Sequence, residues 1–202
     1  SIENARLYER LEEYNKNLER EVEQRTAALR STQRSLLDAS RRAGMAEVIK
    51  HAILADPELF EFIGNNLDAI YDREPETLQH LLQRNCQIKV DVVCRDPYDT
   101  GLRGILNLGH TVGHALEAAA PDWALHHGEA VAEGIIIEAR IAATMGLCDE
   151  ATVEGIEHLM RKAGLDTDLD EVDRKSAAEA IERDKKISDG RLALPLVRDI
   201  GD

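Results

Sequence analysis

Apolar side chains recur at Leu7, Leu11, Tyr14, Leu18, Val22, Leu29 and Leu36, and neither Pro nor Gly interrupts residues 2–42. Steps of three and four predict one long amphipathic helix. Two successive steps of four, Tyr14 to Leu18 to Val22, break strict heptads as a stutter would. The seam is narrow and the remaining faces are dense in Glu and Arg, so the helix has little to bury by itself. It needs a partner, most simply a second copy in a coiled coil. Without one it would be a solvated arm of marginal helicity.

From Gly44 the pattern changes. GMAEVIKHAILAD reads as a short helix with Glu47, Lys50 and His51 at i, i+3 and i+4. On a surface the Glu47–Lys50 pair would mean little; in a cleft it would supply a hard ligand and an anion clamp. Residues 57–71 and 75–95 each begin with Pro and carry helical apolar spacing, and the second run continues through VDVVC without a turn signal. Asp96-Pro97 marks a break, after which Asp99 or Thr100 can cap a central helix. Residues 129–145 form a mostly apolar helix that Gly146 ends, and 149–163 and 175–187 supply two more. The acidic connection GLDTDLDEVD lacks the glycine and terminal Glu of a calcium loop. A turn at Asp189-Gly190 leads to LALPLV, which is extended and able to pair as a short strand. The expected architecture is all-α: a body of about six to eight helices with a long projecting N-terminal helix.

The central stretch, Asp99 to Glu129, carries the chemistry. At about 100° per residue with Arg103 at zero, Asn107, His110 and His114 fall at roughly 40°, −20° and 20°, one narrow stripe of one helix. Gly104, Gly109 and Gly113 lie off that stripe and imply close packing behind it. A third histidine candidate follows in His126-His127-Gly128-Glu129. Two neutral imidazoles and one further ligand make a catalytic divalent-metal site with an open position. The same spacing also suits two satisfied polar residues on a half-exposed helix.

Composition narrows the class. Aromatic residues make up only 3% of the 202 residues against 43% hydrophobic, so the core is built from Leu, Ile, Val and Ala, which favours helices. Residues 1–43 hold nine Arg or Lys and eight Asp or Glu, so residues 44–202 carry −15 of a net −14. An acidic body of that kind excludes a nucleic-acid surface. Cys86, Cys94 and Cys148 show no C-x-x-C spacing, which argues against a disulfide framework and fits a cytoplasmic setting. The N-terminus is charged from the start, and no membrane segment is expected.

Two resemblances follow from these motifs. NLEREVEQRTAALRSTQRSL and SRRAGMAEV, within residues 1–48, resemble the signalling helix of sensor histidine kinases, although no phosphoacceptor motif or ATP-binding domain follows. From Gly44 to Asp202 the motifs GMAEVIKH, KVDVVCRDPYDTGLRGILNLGHTVGHALE, HGEAVAEG and DKKISDGRLALPLV resemble, in order, the C-terminal helical domain of 3-dehydroquinate synthase. The implied domains are residues 1–43, a coiled-coil-type helix, and 44–202, the enzyme-like body.

The second resemblance implies a zinc or cobalt ion held by Glu47, His110 and His127. It implies substrate contacts from Lys50, Lys89, Arg103, Asn107 and Lys186, the last chosen over Lys185, and a proton-transfer role for His114. Asp99 stands where the family usually has Glu, one methylene longer. The implied reaction converts a seven-carbon keto-sugar acid phosphate, 3-deoxy-D-arabino-heptulosonate 7-phosphate, to 3-dehydroquinate with loss of phosphate, in the shikimate pathway of aromatic amino acid biosynthesis. It uses transient oxidation by NAD. In the family a nucleotide-binding α/β domain precedes the AEVIK motif; here the charged helix stands in that place and no Gly-rich strand-to-helix turn occurs. The expectation is therefore a metal site and part of a substrate site, inactive alone, in a homodimer formed through the N-terminal helix or the body. The alternative is a non-catalytic dimerisation or interaction module on a retained enzyme scaffold. A metal-dependent phosphohydrolase is weaker, because no adjacent His-Asp pair is present.

Overall fold

Helical periodicity carries through nearly the whole chain. The computed structural model describes residues 2–121, 125–165, 172–183, 187–188 and 191–202. In order, α1 is Ile2–Ala55, α2 Pro57–Tyr71, α3 Pro75–Arg95, α4 His110–Ala119, α5 His127–Thr144, α6 Glu150–Lys162 and α7 Arg174–Arg183. A 3-10 turn, Leu102–Asn107, stands between α3 and α4. The strands among the described residues are β1, Ile187–Ser188, and β2, Arg191–Leu192, an antiparallel pair of two residues each. The expectation of an all-α body holds, with α2 and α3 bounded as their prolines indicated. Among the described residues no helix is long and apolar enough to cross a membrane.

Two compact units divide the chain, Ser1–Ser40 and Arg41–Asp202. In the first, α1 exposes the seam that its periodicity marked out: Leu11, Tyr14, Leu18, Val22, Leu29 and Leu36 all lie open. Arg25 and Glu21 pair at 2.6 Å one turn apart, the kind of contact that supports a solvated helix face.

In the second unit, α1 continues from Arg41 without a break at Gly44, so GMAEVIKHAILAD is the end of the long helix and not a short one of its own. That end is apolar on several faces. Met45, Ala46, Val48, Ile49, Ala52 and Ile53 are buried among Leu59, Ile63, Leu67, Val131, Ile135, Ala139, Ile156 and Met160. The last turn of α1 is closed from two directions. The N–H of Asp56 reaches Ala52 O at 2.9 Å, and the N–H of Gly201 reaches Ile53 O at 2.7 Å. The buried Asp56 then caps α2, accepting from Leu59 N at 2.9 Å and from Arg84 Nε at 2.7 Å.

The chain between α3 and α4 differs from the single central helix expected. Asp96, buried, accepts from Thr100 N, Thr100 Oγ1, Gly101 N and Arg103 N at 2.8–3.0 Å. Gly101 is therefore the N-cap residue, in place of Asp99 or Thr100, and the Asp96 side chain gathers the backbone N–H groups that lead into the tighter 3-10 turn. Gly109 ends that turn with φ 76°, in the left-handed region that favours glycine. Its N–H is anchored on the buried Glu138 Oε2 at 2.7 Å. Arg103 and Asn107 thus lie on one short element and His110 and His114 on the next. Gly113 also packs closely, 2.9 Å from Ala130 O to a built Cβ, whereas Gly104 faces open space.

A smaller apolar cluster, Val112, Leu116, Val172 and Ala177, seats α7 on α4. The Asp189-Gly190 turn and Lys186 lie outside the described residues. LALPLV pairs only at Leu192; residues 193–197 continue without strand pairing and end at the buried Val197.

Candidate metal centre

Three elements deliver the site. Near its C-terminal end α1 carries Glu47, α4 opens with His110, and α5 opens with His127. Glu47 Oε1 lies 3.2 Å from His110 Nε2, and one ligand atom from each of Glu47, His110 and His127 falls within 4.8 Å of the others. The three side chains that the motifs single out are brought together. His114 completes a triangle of imidazoles, with ring centroids 5.7 Å from His110 and 5.9 Å from His127.

The hydrogen bonds around His110 define what the pair needs. Its Nδ1 lies 3.2 Å from Leu108 O, and a carbonyl can only accept, so Nδ1 carries the proton of the neutral ring. Without a second ring proton, Nε2 presents a lone pair to the Glu47 carboxylate. Two acceptors at that distance require something positive between them, a proton or a cation. The ligands of a tetrahedral zinc, bound at about 2.0–2.1 Å, lie about 3.3 Å apart, close to the spacing seen. The donor set of one carboxylate and two imidazoles, with a fourth direction left for solvent or substrate, fits a divalent cation.

Lys50 fixes the carboxylate. Its ammonium, 2% exposed, donates to Glu47 Oε2 at 2.6 Å and to Leu106 O at 2.8 Å, which leaves Oε1 to face His110. Burial works to raise the Glu47 pKa, but hydrogen bonds from His110 and Lys50 overcome it and hold the group at about 2. Burial pushes the Lys50 ammonium down from its ordinary value, Glu47 resists, and Lys89 on α3 pushes it further down, so these two of the three predicted lysines act on one region. His51 is turned away, its Nδ1 donating to Asn85 Oδ1 at 2.7 Å, a satisfied core histidine.

The turn that bears His127 is held by residues to which the motifs assigned no role. Glu129 Oε2 accepts from His126 N at 3.1 Å, and Arg42 Nε lies 3.0 Å from Glu129 Oε1. Gly128 permits the approach of α1: a Cβ there would sit 2.2 Å from Ala43 Cα. Glu117 Oε2 lies 3.2 Å from His127 Nδ1. The i, i+4, i+7 run of His110, His114 and Glu117 is the sequence signal that would have found Glu117.

The other predicted residues are spread around this centre. Asn107 lines an open cleft of about 460 Å³ with Gly101, Ile105, Thr111, Leu194 and Pro195. His114, exposed, faces a second cleft that shares Thr111 and has Ser176 and Arg183 of α7 in its wall. Arg183 precedes the DKK motif and went unmarked in the sequence. Arg103 is half-buried. Asp99 is exposed with φ 56° and belongs to neither group of metal-competent side chains among the described residues.

Comparison with known proteins agrees with the motifs. The family model described as 3-dehydroquinate synthase C-terminal matches residues 44–187, and the chain belongs to that family. A 3-dehydroquinate synthase of Dehalococcoides mccartyi is 40% identical over 159 residues, 79% of this chain and 44% of the relative. One from Sulfolobus acidocaldarius is 39% identical over 166 residues, 80% and 47%. The chain spans a little under half the length of these relatives.

Two solved structures share the fold. The 2-epi-5-epi-valiolone synthase of Streptomyces hygroscopicus, with NAD+ and Zn2+ bound, matches with a TM-score of 0.70 and 28% identity over 80% of this chain and 45% of that one. A 2-deoxy-scyllo-inosose synthase complexed with carbaglucose-6-phosphate, NAD+ and Co2+ matches with a TM-score of 0.71 and 27% identity over 82% and 46%.

Proposed function

We propose that residues 41–202 are the metal- and substrate-holding part of a 3-dehydroquinate synthase-type reaction site, acting on 3-deoxy-D-arabino-heptulosonate 7-phosphate. The observation that carries this reading is the 3.2 Å approach of Glu47 Oε1 to His110 Nε2 with His127 beside them. Glu47, His110 and His127 hold the cation, zinc or cobalt, as the Zn2+ and Co2+ of the two structural relatives suggest. Such an ion, when bound, holds substrate hydroxyls and stabilises developing alkoxide or enolate charge.

The chain's own residues do the rest. Arg103, Lys89 and Lys186 bind carboxylate and phosphate oxygens, with Arg103 suited to two-point contact. Lys50 holds Glu47 in place and keeps positive charge beside the substrate. Asn107 orients hydroxyls from its cleft. His114, exposed beside the clefts, holds or moves a proton, since an imidazole can both accept and donate one. Asp99 is assigned an accessory acid role.

The nicotinamide step needs a cofactor site, and these 202 residues alone bind metal and substrate without completing turnover. We place the protein in the cytoplasm, where unpaired Cys86, Cys94 and Cys148 would stay reduced. Zinc titration of the purified chain tests the reading: about one ion per chain is expected. Glu47→Ala and His127→Ala should each lose it by more than the roughly 100-fold that an outer partner contributes. Retention of zinc by both variants, or formation of dehydroquinate by the chain with NAD alone, would overturn the respective part.

A second reading concerns residues 1–40. The open seam from Leu11 to Leu36 favours self-association through α1, with a second copy as the partner. Its mixed charge lets two copies pair without net repulsion, while the acidic bodies repel.

A further inference from the structure

We infer that Glu117 is a positioning residue that sets the orientation of the metal ligand His127; the inference rests on the metal reading above. His127 is the first residue of α5 and its side chain is 48% exposed, so packing alone does not fix the ring. A ligand that must reach Glu47 and His110 needs another restraint. Glu117, on α4, supplies it by placing Oε2 3.2 Å from His127 Nδ1.

An ionised carboxylate can only accept, so this contact puts the ring proton on Nδ1 and leaves the Nε2 lone pair for a cation. Metal-bound histidines are commonly held this way, and such partners both orient the ring and raise its basicity. The other nearby carboxylate, Glu129, is engaged by His126 N and Arg42. The spacing on α4 gives the arrangement its economy: His110 and Glu117 lie two turns apart on one face, so a single helix delivers one ligand and braces the other.

One rival uses the same residues. His114, Glu117 and His127 also place ligand atoms within 4.8 Å of one another, which would make Glu117 itself a ligand. His127 cannot serve both arrangements with one lone pair. Glu47 and His110 are less exposed than His114, and Lys50 already turns Glu47 Oε1 toward His110, so the geometry favours their site and the bracing role.

Zinc affinity of the full chain, measured by competition with a chromophoric chelator, tests this. Glu117→Ala should weaken binding about 10–100-fold, and Glu117→Gln less, because the amide oxygen still accepts from Nδ1. His114→Ala should retain the parent's affinity, and the metal-free melting temperatures of both Glu117 variants should match the parent's. Parent-like binding by Glu117→Ala, with zinc lost in Glu47→Ala, would overturn the bracing role and leave the metal site standing. Zinc kept by Glu47→Ala but lost by His114→Ala and Glu117→Ala would put the cation on the rival triad and overturn both. A parent that binds no zinc would end the metal reading itself.

Discussion

Lys50 and Glu47 form a half-enclosed pair in which the ammonium, at 2.6 Å from Oε2, leaves Oε1 pointing at His110. The lysine thereby decides which carboxylate oxygen a cation meets. Lys50→Met keeps the stem and removes the charge. It should weaken zinc binding within the roughly 10–100-fold range of an outer partner, well short of the loss in Glu47→Ala. Equal losses in the two variants, read by the same titration, would show that Lys50 does more than orient the carboxylate.

Two glycines on facing elements should respond in opposite directions. Gly128→Ala would place a methyl 2.2 Å from Ala43 Cα and 2.5 Å from its N, so backbone must shift; a loss of about 1–3 kcal/mol is expected in denaturant unfolding. Gly44 has nothing within 4 Å of its built Cβ and sits inside α1, where Ala is preferred by roughly 0.5–1 kcal/mol. Gly44→Ala should therefore stabilise. A Gly128→Ala variant as stable as the parent would contradict the close approach of α1 and α5 there, and a loss in Gly44→Ala would contradict the open space at Gly44.

The fold was largely legible because prolines mark the starts of α2 and α3 and the apolar period runs through α5 and α6. What could not be read was the break before His110. Arg103, Asn107, His110 and His114 share a helical stripe on paper, and only the four bonds to Asp96 together with the left-handed Gly109 divide it into a 3-10 turn and α4. Periodicity has no way to report a buried carboxylate claimed by the following backbone. Gly44 misled in the other direction, since a lone glycine costs a long helix too little to end it. In the site, Glu47, His110 and His127 were legible through motifs, not spacing. Glu117 and Glu129 were hidden because a bracing carboxylate looks like any other acid in an acidic chain.

Asp96 makes the chain acid-sensitive at a defined place. Backbone N–H groups of Arg103 and Thr100, against the opposing effect of burial, hold its carboxyl well below the usual range, with further help from the Thr100 hydroxyl and Gly101 N–H. A carboxyl depressed in the folded state contributes stability above its unfolded pKa, about 3.9, and loses it as pH falls further toward the folded value. Asp96→Asn should be less stable than the parent at pH 7, and the gap should narrow below about pH 4. A gap that stays constant across urea midpoints from pH 7 to pH 3 would contradict this.

The seam on residues 1–40 gives a separate prediction. Leu18→Glu combined with Leu29→Glu puts like charges where two copies of α1 would meet. Sedimentation should show the parent as a dimer at micromolar concentration and the double variant shifted to monomer, with zinc stoichiometry unchanged. A dimer that survives both substitutions would move the interface to the body.

Anomalous scattering at the zinc edge, from crystals of the metal-loaded chain, tests the central claim most directly. The account predicts one strong peak about 2.0–2.2 Å from a carboxylate oxygen of Glu47 and from ring nitrogens of His110 and His127. A peak that lies away from those three side chains, or no peak in zinc-loaded crystals, would contradict it.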